Sequence, residues 1–154
     1  MIIAKKTLFA ICYDILFMLM KYLGIDFGLK RIGLATSDDT LKVAFPYKTI
    51  VNDSKTLQEV LNIIQKKKIS KVVIGESKNK DMQDNPIMQL VHDFKSQLEL
   101  AGIVVDLHNE FFSSAQVVST MGQQNKSIDA SAAAIILQSY LDLKNNTGFP
   151  PSRE

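Results

Sequence analysis

Short apolar segments and amphipathic segments follow one another along this chain in an order that few folds accommodate. Three strand-like segments come first, at 21–26, 31–37 and 42–50, and turn residues between the first two indicate a hairpin. Helical periodicity then alternates with two short apolar runs, 71–75 and 103–107. This order predicts an α/β domain with one mixed five-stranded sheet, a three-strand meander followed by alternating helices and strands, and helices on both faces.

Proline and helix-start residues refine this arrangement. Pro46 lies inside the third strand segment, which indicates an edge strand or a bulge because proline cannot donate a ladder hydrogen bond. Asp53 or Ser54 is expected to cap the first helix. Helices are predicted at 53–68, 86–98, 113–121 and 129–141.

The composition limits the kind of site that the chain can carry. Its 154 residues, 46% of them hydrophobic, suit a single domain with a core of its own. A single cysteine, Cys12, excludes a disulfide framework, and the two histidines argue against a histidine-rich metal site. A bound metal would therefore be held by oxygen, which favours Mg²⁺ or Mn²⁺. Because the net charge is only +2, contact with nucleic acid would come from a local basic patch.

The two ends of the chain differ from its middle. Residues 1–19 form an N-terminal extension in which lysines precede an apolar run that is too short to span a membrane. Three interpretations stay open: a translation start at Met18 or Met20, an extra amphipathic segment, or an export signal. We expect one domain at 20–142, a flexible tail at 143–154, and a cytoplasmic protein without membrane contact.

Three acidic residues lie where strand and helix ends could bring them together. Asp26 ends the first strand, Glu110 follows the fifth, and Asp129 opens the last predicted helix. Strand ends at one edge of an open sheet form its binding crevice, so Asp26 and Glu110 could meet if the first and fifth strands are neighbours. Converging carboxylates repel one another unless cations lie between them. The three acids could therefore hold one or two divalent metals, as in enzymes that cleave phosphodiesters.

Each acid also has a simpler interpretation. Asp26 could take part only in the turn before Gly28. Asp129 could be a helix N-cap, a common position for aspartate, and Glu110 could be a surface loop residue. The functional interpretation depends on the three acids occurring together.

Four segments resemble one protein family. The stretch YLGIDFGLKRIGLATSD at 22–38 is similar to the opening motif of the YqgF/RuvX family, and IDASAAAIILQSYL at 128–141 is similar to its last helix. Weaker similarities lie in KVVIGE at 71–76 and NEFFSS at 109–114. The resemblance extends over roughly residues 20–142 and implies a ribonuclease H-like fold.

This family is described as pre-16S rRNA nucleases or Holliday-junction-resolvase-like proteins. The resemblance therefore implies a metal-dependent endonuclease that hydrolyses phosphodiester bonds, with maturation of the 5′ end of precursor 16S rRNA as the leading function. It implies that Asp26, Glu110 and Asp129 are catalytic and hold Mg²⁺ or Mn²⁺. The implied partner is structured nucleic acid, bound by a monomer or a homodimer.

Residues near the first turn are candidate nucleic-acid contacts. Lys30 and Arg31 could contact phosphate, and Gly28 would let a nucleic-acid backbone approach closely. Solvated turn charges are the alternative for the two cations. Phe111 and Phe112 could stack on bases or belong to the core.

The chain departs from the family motif around Glu110. Asn109 stands where the family has an acid, and Phe111 stands where it has an arginine, which puts one phosphate contact in doubt. Glu76 is either a replacement acid or a solvated loop residue. Two alternatives to the rRNA nuclease therefore stay open: a Holliday-junction resolvase, which should be a dimer, and a non-catalytic nucleic-acid or ribosome-binding module. An actin-like ATP-binding fold is disfavoured, because it needs two such units.

Overall fold

The computed structural model describes residues 10–12, 20–76, 86–109 and 125–146. The predicted helix at 113–121, together with Glu110 and Phe111, lies outside the described residues. The elements are, in order, β1 (Lys21–Phe27), β2 (Arg31–Ser37), β3 (Ala44–Val51), α1 (Thr56–Lys67), β4 (Ile69–Glu76), α2 (Pro86–Leu100), β5 (Val105–Asn109) and α3 (Asn125–Asn146).

The five strands form one mixed sheet in the order β3-β2-β1-β4-β5. The pairs β1–β2 and β2–β3 are antiparallel, whereas β1–β4 and β4–β5 are parallel. The predicted meander and mixed sheet are thus confirmed. Pro46 lies on the edge strand β3, where the register with β2 shifts between Leu34 and Ala35, so both expectations for this proline hold.

Helices cover both faces of the sheet, as predicted. The alternation of side chains along β1 sends Leu23 and Ile25 into one core with α1 and α2, and sends Tyr22 into a second core with α3. Both cores contain fully buried branched aliphatic side chains, whose removal from water is the main favourable term in folding. The sheet is therefore held from two sides.

Two strand glycines let α3 lie directly on the sheet. A Cβ atom on Gly24 would lie 2.7 Å from the Cβ of Leu137, and one on Gly33 would lie 1.9 Å from the carbonyl oxygen of Asp129. Such distances leave no space for a side chain, which is a common reason for glycine inside a strand. The position of Asp129 relative to β2 is consequently fixed by backbone contact.

Several predicted boundaries were wrong by a few residues. The strand predicted at 103–107 is β5 at Val105–Asn109, because the N–H of Ile103 still bonds to the carbonyl of Leu98 and closes the end of α2. Helix α3 begins at Asn125, a full turn before Asp129, and continues to Asn146. Asp129 is therefore inside the helix and is not its N-cap. Helix α3 also runs past residue 142, where the flexible tail was expected to begin, and residues 147–154 lie outside the described ones.

The N-terminal extension is described only at residues 10–12, which are helical and exposed. Its proposed boundary and the alternative start sites stay predictions. Among the described residues, no helix is both long and apolar enough to cross a membrane.

Candidate active site

Asp26 lies at the end of β1, on the side of the sheet that α3 covers. It shares that side with Tyr22 and Gly24 through the two-residue repeat of a strand. The turn that follows is closed by a hydrogen bond of 3.0 Å from the N–H of Gly28 to the carbonyl oxygen of Arg31. A Cβ on Gly28 would lie 2.5 Å from that oxygen, so the tight turn beside Asp26 requires glycine. Gly28 was predicted as a nucleic-acid contact, and its observed contact is this turn.

Asn52 supports the same turn from the neighbouring strand end. Its side-chain Nδ2 donates to the carbonyl of Gly28 at 2.8 Å, and its backbone N–H donates to the carbonyl of Lys30 at 3.0 Å. The buried hydroxyl of Thr56 lies 3.4 Å from Asn52 Oδ1. Sequence reasoning missed Asn52. An asparagine after a strand looks like an ordinary loop residue until the folded structure shows its hydrogen bonds to distant residues.

Asp129 projects from α3 toward the end of β1, and its charge acts on Asp26. Burial first, and the charge of the nearby Asp129 carboxylate second, together raise the pKa of Asp26 from 3.8 to about 6. Both effects disfavour the charged form of Asp26. The structure thus brings together two of the three predicted acids.

Arg31 contacts Asp129 from the start of β2. Its Nε lies 3.1 Å from Asp129 Oδ2, with the Arg31 side chain 43% exposed and that of Asp129 23% exposed. Despite this short distance, Oδ2 is buried and accepts no hydrogen bond from any described residue, so the contact is an ion pair with poor hydrogen-bond geometry. Sequence reasoning named Arg31 as a phosphate contact but missed this partner.

The third predicted acid, Glu110, lies outside the described residues. The residue before it, Asn109, ends β5 and is aligned with Glu76 at the end of β4. The condition that β1 and β5 are neighbours was wrong, because β4 lies between them. Parallel strands are ordered in space by their crossover connections, and the apolar pattern of each strand does not reveal that order. Asn109 nevertheless lies at the same edge of the sheet as Asp26.

The remaining candidates lie around this edge or away from it. Glu76 follows the row of Val72 and Ile74, which faces α1 and α2, so it is on the opposite side of the sheet from Asp129. Lys30 is exposed in the turn. His108 pairs with Ser139 at 3.0 Å on the α3 side, and burial lowers its pKa.

A second polar cluster lies between β4, β5 and α3. Lys71 Nζ is 3.0 Å from Asp106 Oδ2, and the hydroxyl of Tyr140 donates to the same carboxylate oxygen. Burial alone would raise the pKa of Asp106, but the hydrogen bonds from Tyr140 and Lys71 outweigh it and lower that pKa. Each of the three polar groups has a hydrogen-bond partner within the cluster. This indicates a structural contact that fixes α3 to the sheet.

The residues at the sheet edge suit a hard divalent cation. Two carboxylates converge there, and one of their oxygens is buried without a hydrogen bond from the described residues. Oxygen donors of this kind are those that Mg²⁺ and Mn²⁺ prefer. Within the described ranges, no group of three acidic, histidine or cysteine side chains is close enough to form a complete metal site, so a full site would need a further ligand.

A three-strand antiparallel meander, extended by parallel strands and covered by α3 beside an acidic edge, defines a ribonuclease H-like fold. The chain resembles a solved structure of T. thermophilus RuvC in complex with Holliday junction substrate, with a TM-score of 0.57 and 16% identity, over 83% of this chain and 97% of that one. It also resembles Fowlpox virus resolvase in complex with Holliday junction DNA, with a TM-score of 0.52 and 12% identity, over 81% of this chain and 99% of that one. At such identities the likeness establishes the fold alone.

Sequence relatives define the family more narrowly. Residues 20–143 match the model of the RuvX family, described as Holliday junction resolvase. A protein of Anaeromyxobacter sp. (strain K), named "Putative pre-16S rRNA nuclease", is 33% identical over 133 residues, which are 80% of this chain and 97% of that protein. One of the same name from Malacoplasma penetrans (strain HF-2) is 34% identical over 135 residues, 80% of this chain and 95% of that protein. The chain belongs to the RuvX family and is a nuclease, which confirms the family and the reaction class predicted from its motifs.

Proposed function

We propose that this nuclease is a divalent-metal-dependent endonuclease that matures the 5′ end of precursor 16S rRNA in the cytoplasm. Its proposed catalytic acids are Asp26, Asp129 and Glu110. The observation that carries the proposal is the placement of Asp26 and Asp129 at one edge of the sheet. Asp26 pairs with Gly33, against which the backbone of Asp129 packs, and the charge of Asp129 raises the pKa of Asp26. The names of the curated relatives support the RNA substrate.

Mg²⁺ or Mn²⁺ is the proposed cofactor, held by the carboxylates of Asp26 and Asp129 together with Glu110. The buried, unbonded Oδ2 of Asp129 supports this assignment, because a buried charged oxygen is costly without a counter-charge. When bound, such a cation supplies charge stabilisation for the phosphate and lowers the pKa of attacking water.

The residues around the turn would position the substrate. Lys30 is exposed and Arg31 is partly exposed, so each has N–H groups available to a phosphate oxygen. Asn52 holds the carbonyls of Gly28 and Lys30, which keeps the turn rigid beside Asp26. Preorganisation of this kind is what a phosphoryl-transfer site needs, since its catalysis depends mainly on positioning and electrostatics.

The test is cleavage of a 5′-extended 16S rRNA fragment by the full chain with Mg²⁺ or Mn²⁺. Asp26→Asn, Glu110→Gln and Asp129→Asn should each reduce the rate by at least about a hundredfold, since an essential group acts as part of a unit. Asp93→Asn is the matched control, because this exposed carboxylate lies on α2, on the other side of the sheet. Cleavage that persists in Asp26→Asn, or that proceeds equally well in EDTA, would refute the proposal.

A Holliday-junction resolvase is the second candidate, favoured by the family description and by the fold shared with RuvC. The same preparation should be offered a four-way DNA junction beside the RNA. A resolvase must cut two strands symmetrically, so paired cuts by a dimer, measured by gel mapping and light scattering, would favour this function. Cleavage of the RNA alone would favour rRNA maturation, whether the protein is a monomer or a homodimer.

A further inference from the structure

We propose that Arg31 takes the place of the cation at Asp129 in the metal-free protein, so that the guanidinium and a divalent metal compete for the same carboxylate. This inference rests on the proposed function, because it takes Asp129 to be a metal ligand. It adds a gating role to a residue that sequence reasoning assigned only to phosphate binding.

The contact itself carries the inference. Arg31 Nε and Asp129 Oδ2 are 3.1 Å apart, and that oxygen is buried with no hydrogen bond from the described residues. A structural arginine–carboxylate pair in a buried site usually forms well-aligned, often bidentate hydrogen bonds. The guanidinium here supplies charge to the oxygen without satisfying it, which leaves the oxygen available to a better-placed cation.

The strand holds the backbone of Arg31 while its side chain remains able to move. Its carbonyl accepts the N–H of Gly28, and it is paired with Val51 on the edge strand. Gly33, two residues further along the same side of β2, touches the backbone of Asp129. Helix α3 and β2 are thus in backbone contact beside Asp129, whereas the arginine side chain, 43% exposed, can turn into solvent.

Charge accounts for the direction of the effect. Asp26 and Asp129 repel each other, and one guanidinium relieves part of that repulsion in the metal-free state. A divalent cation between the carboxylates would relieve more of it and would repel the guanidinium. Arg31 would then leave Asp129 and face solvent near the metal, where its N–H groups could bind a phosphate oxygen.

The test is the affinity of the full chain for Mn²⁺, measured by titration calorimetry and by electron paramagnetic resonance of free Mn²⁺. Arg31→Gln should tighten binding by about two- to fivefold, the range expected for loss of a partly exposed competing ion pair. Lys30→Gln is the matched control. It removes the same charge one residue away, from a side chain exposed in the turn, and should change the affinity by less than about twofold at physiological salt.

Two further variants distinguish the possible failures. Asp129→Asn should weaken Mn²⁺ binding, and Arg31→Gln should bring no gain when added to Asp129→Asn. The gating role would be overturned if Arg31→Gln and Lys30→Gln bound Mn²⁺ with equal affinity while Mn²⁺ binding still depended on Asp129. That result would leave the proposed metal site intact. Absence of any Mn²⁺ binding that depends on Asp129 would overturn both.

A stability measurement covers the case in which Arg31→Gln binds Mn²⁺ poorly because its fold is weakened. In EDTA, Arg31→Gln should unfold at a lower temperature than wild type, and saturating Mn²⁺ should raise its melting temperature by more than it raises that of the wild type. Arg31→Lys keeps the charge and should behave like wild type in both measurements. A smaller Mn²⁺-induced rise in Arg31→Gln than in wild type would contradict competition.

Discussion

Replacing Asp26 by asparagine should stabilise the metal-free protein at neutral pH. The pKa of Asp26 rises from 3.8 to about 6 in the folded chain, through burial first and the charge of Asp129 second. About two pKa units at about 1.4 kcal/mol each correspond to a penalty of about 3 kcal/mol on the ionised side chain. Because Asp26 is only half-buried, we expect Asp26→Asn to recover about 1–3 kcal/mol of it.

The pH dependence identifies the source of this gain. The folded protein holds the Asp26 proton more tightly than the unfolded chain, so stability falls as pH rises from about 4 to about 6 and stays lower above that. Asp26→Asn removes this loss. The two proteins should therefore be nearly equal in stability at about pH 4, and should differ most above about pH 7.

Urea unfolding in EDTA, followed by circular dichroism because the chain has no tryptophan, measures the difference directly. Asp93→Asn, at an exposed carboxyl on α2, is the control and should stay within about 0.5 kcal/mol of wild type at each pH. An Asp26→Asn protein that gains no stability at about pH 8, or gains as much at about pH 4, would refute the raised pKa of Asp26.

Three other substitutions or truncations test separate parts of the structure. Gly33→Ala should lower the free energy of unfolding by about 3 kcal/mol or more, because the added Cβ would lie 1.9 Å from the carbonyl oxygen of Asp129. No change in that free energy, measured by denaturant unfolding, would show that α3 does not lie so close to β2. Tyr140→Phe should lower the free energy of unfolding by about 1–2 kcal/mol, because the hydrogen bond to Asp106 is lost. It should leave the Mn²⁺ affinity unchanged, since this cluster is structural, and a changed affinity would contradict that role. If translation starts at Met18 or Met20, a shortened chain that starts at Met20 should unfold at the same temperature as the full chain; a loss of several degrees, on the order of 1 kcal/mol, would make residues 1–19 part of the fold.

The sequence was most informative where a single segment determines its own structure. The apolar segments of β1 and β2 with turn residues between them, and the proline at position 46, depend on local sterics and on hydrogen-bond donors. They therefore predicted the hairpin and the edge strand. The family motifs predicted Asp26 and Asp129 as partners in one site, and the structure places them at the same edge of the sheet; their catalytic role stays a prediction. Whether Glu110 joins them stays a prediction.

The sequence was least informative where two distant segments meet. The contact of Arg31 with Asp129 depends on the close approach of α3 to β2 at Gly33, which becomes visible only once the helix is placed. The insertion of β4 between β1 and β5 likewise follows from crossover connections and not from strand composition. A glycine inside a strand was the one available signal of close backbone approach, and at Gly33 it was overlooked.

A manganese site at the acidic edge is the most direct test of a metal-dependent nuclease. Crystals of the full chain should be soaked in Mn²⁺ at a concentration that supports cleavage, and anomalous difference maps should be calculated at the manganese edge. We expect a peak within coordination distance of the carboxylates of Asp26 and Asp129, and no such peak in Asp129→Asn crystals. A map without manganese at these two carboxylates, from protein that cleaves its substrate under the same conditions, would contradict the proposed catalytic site.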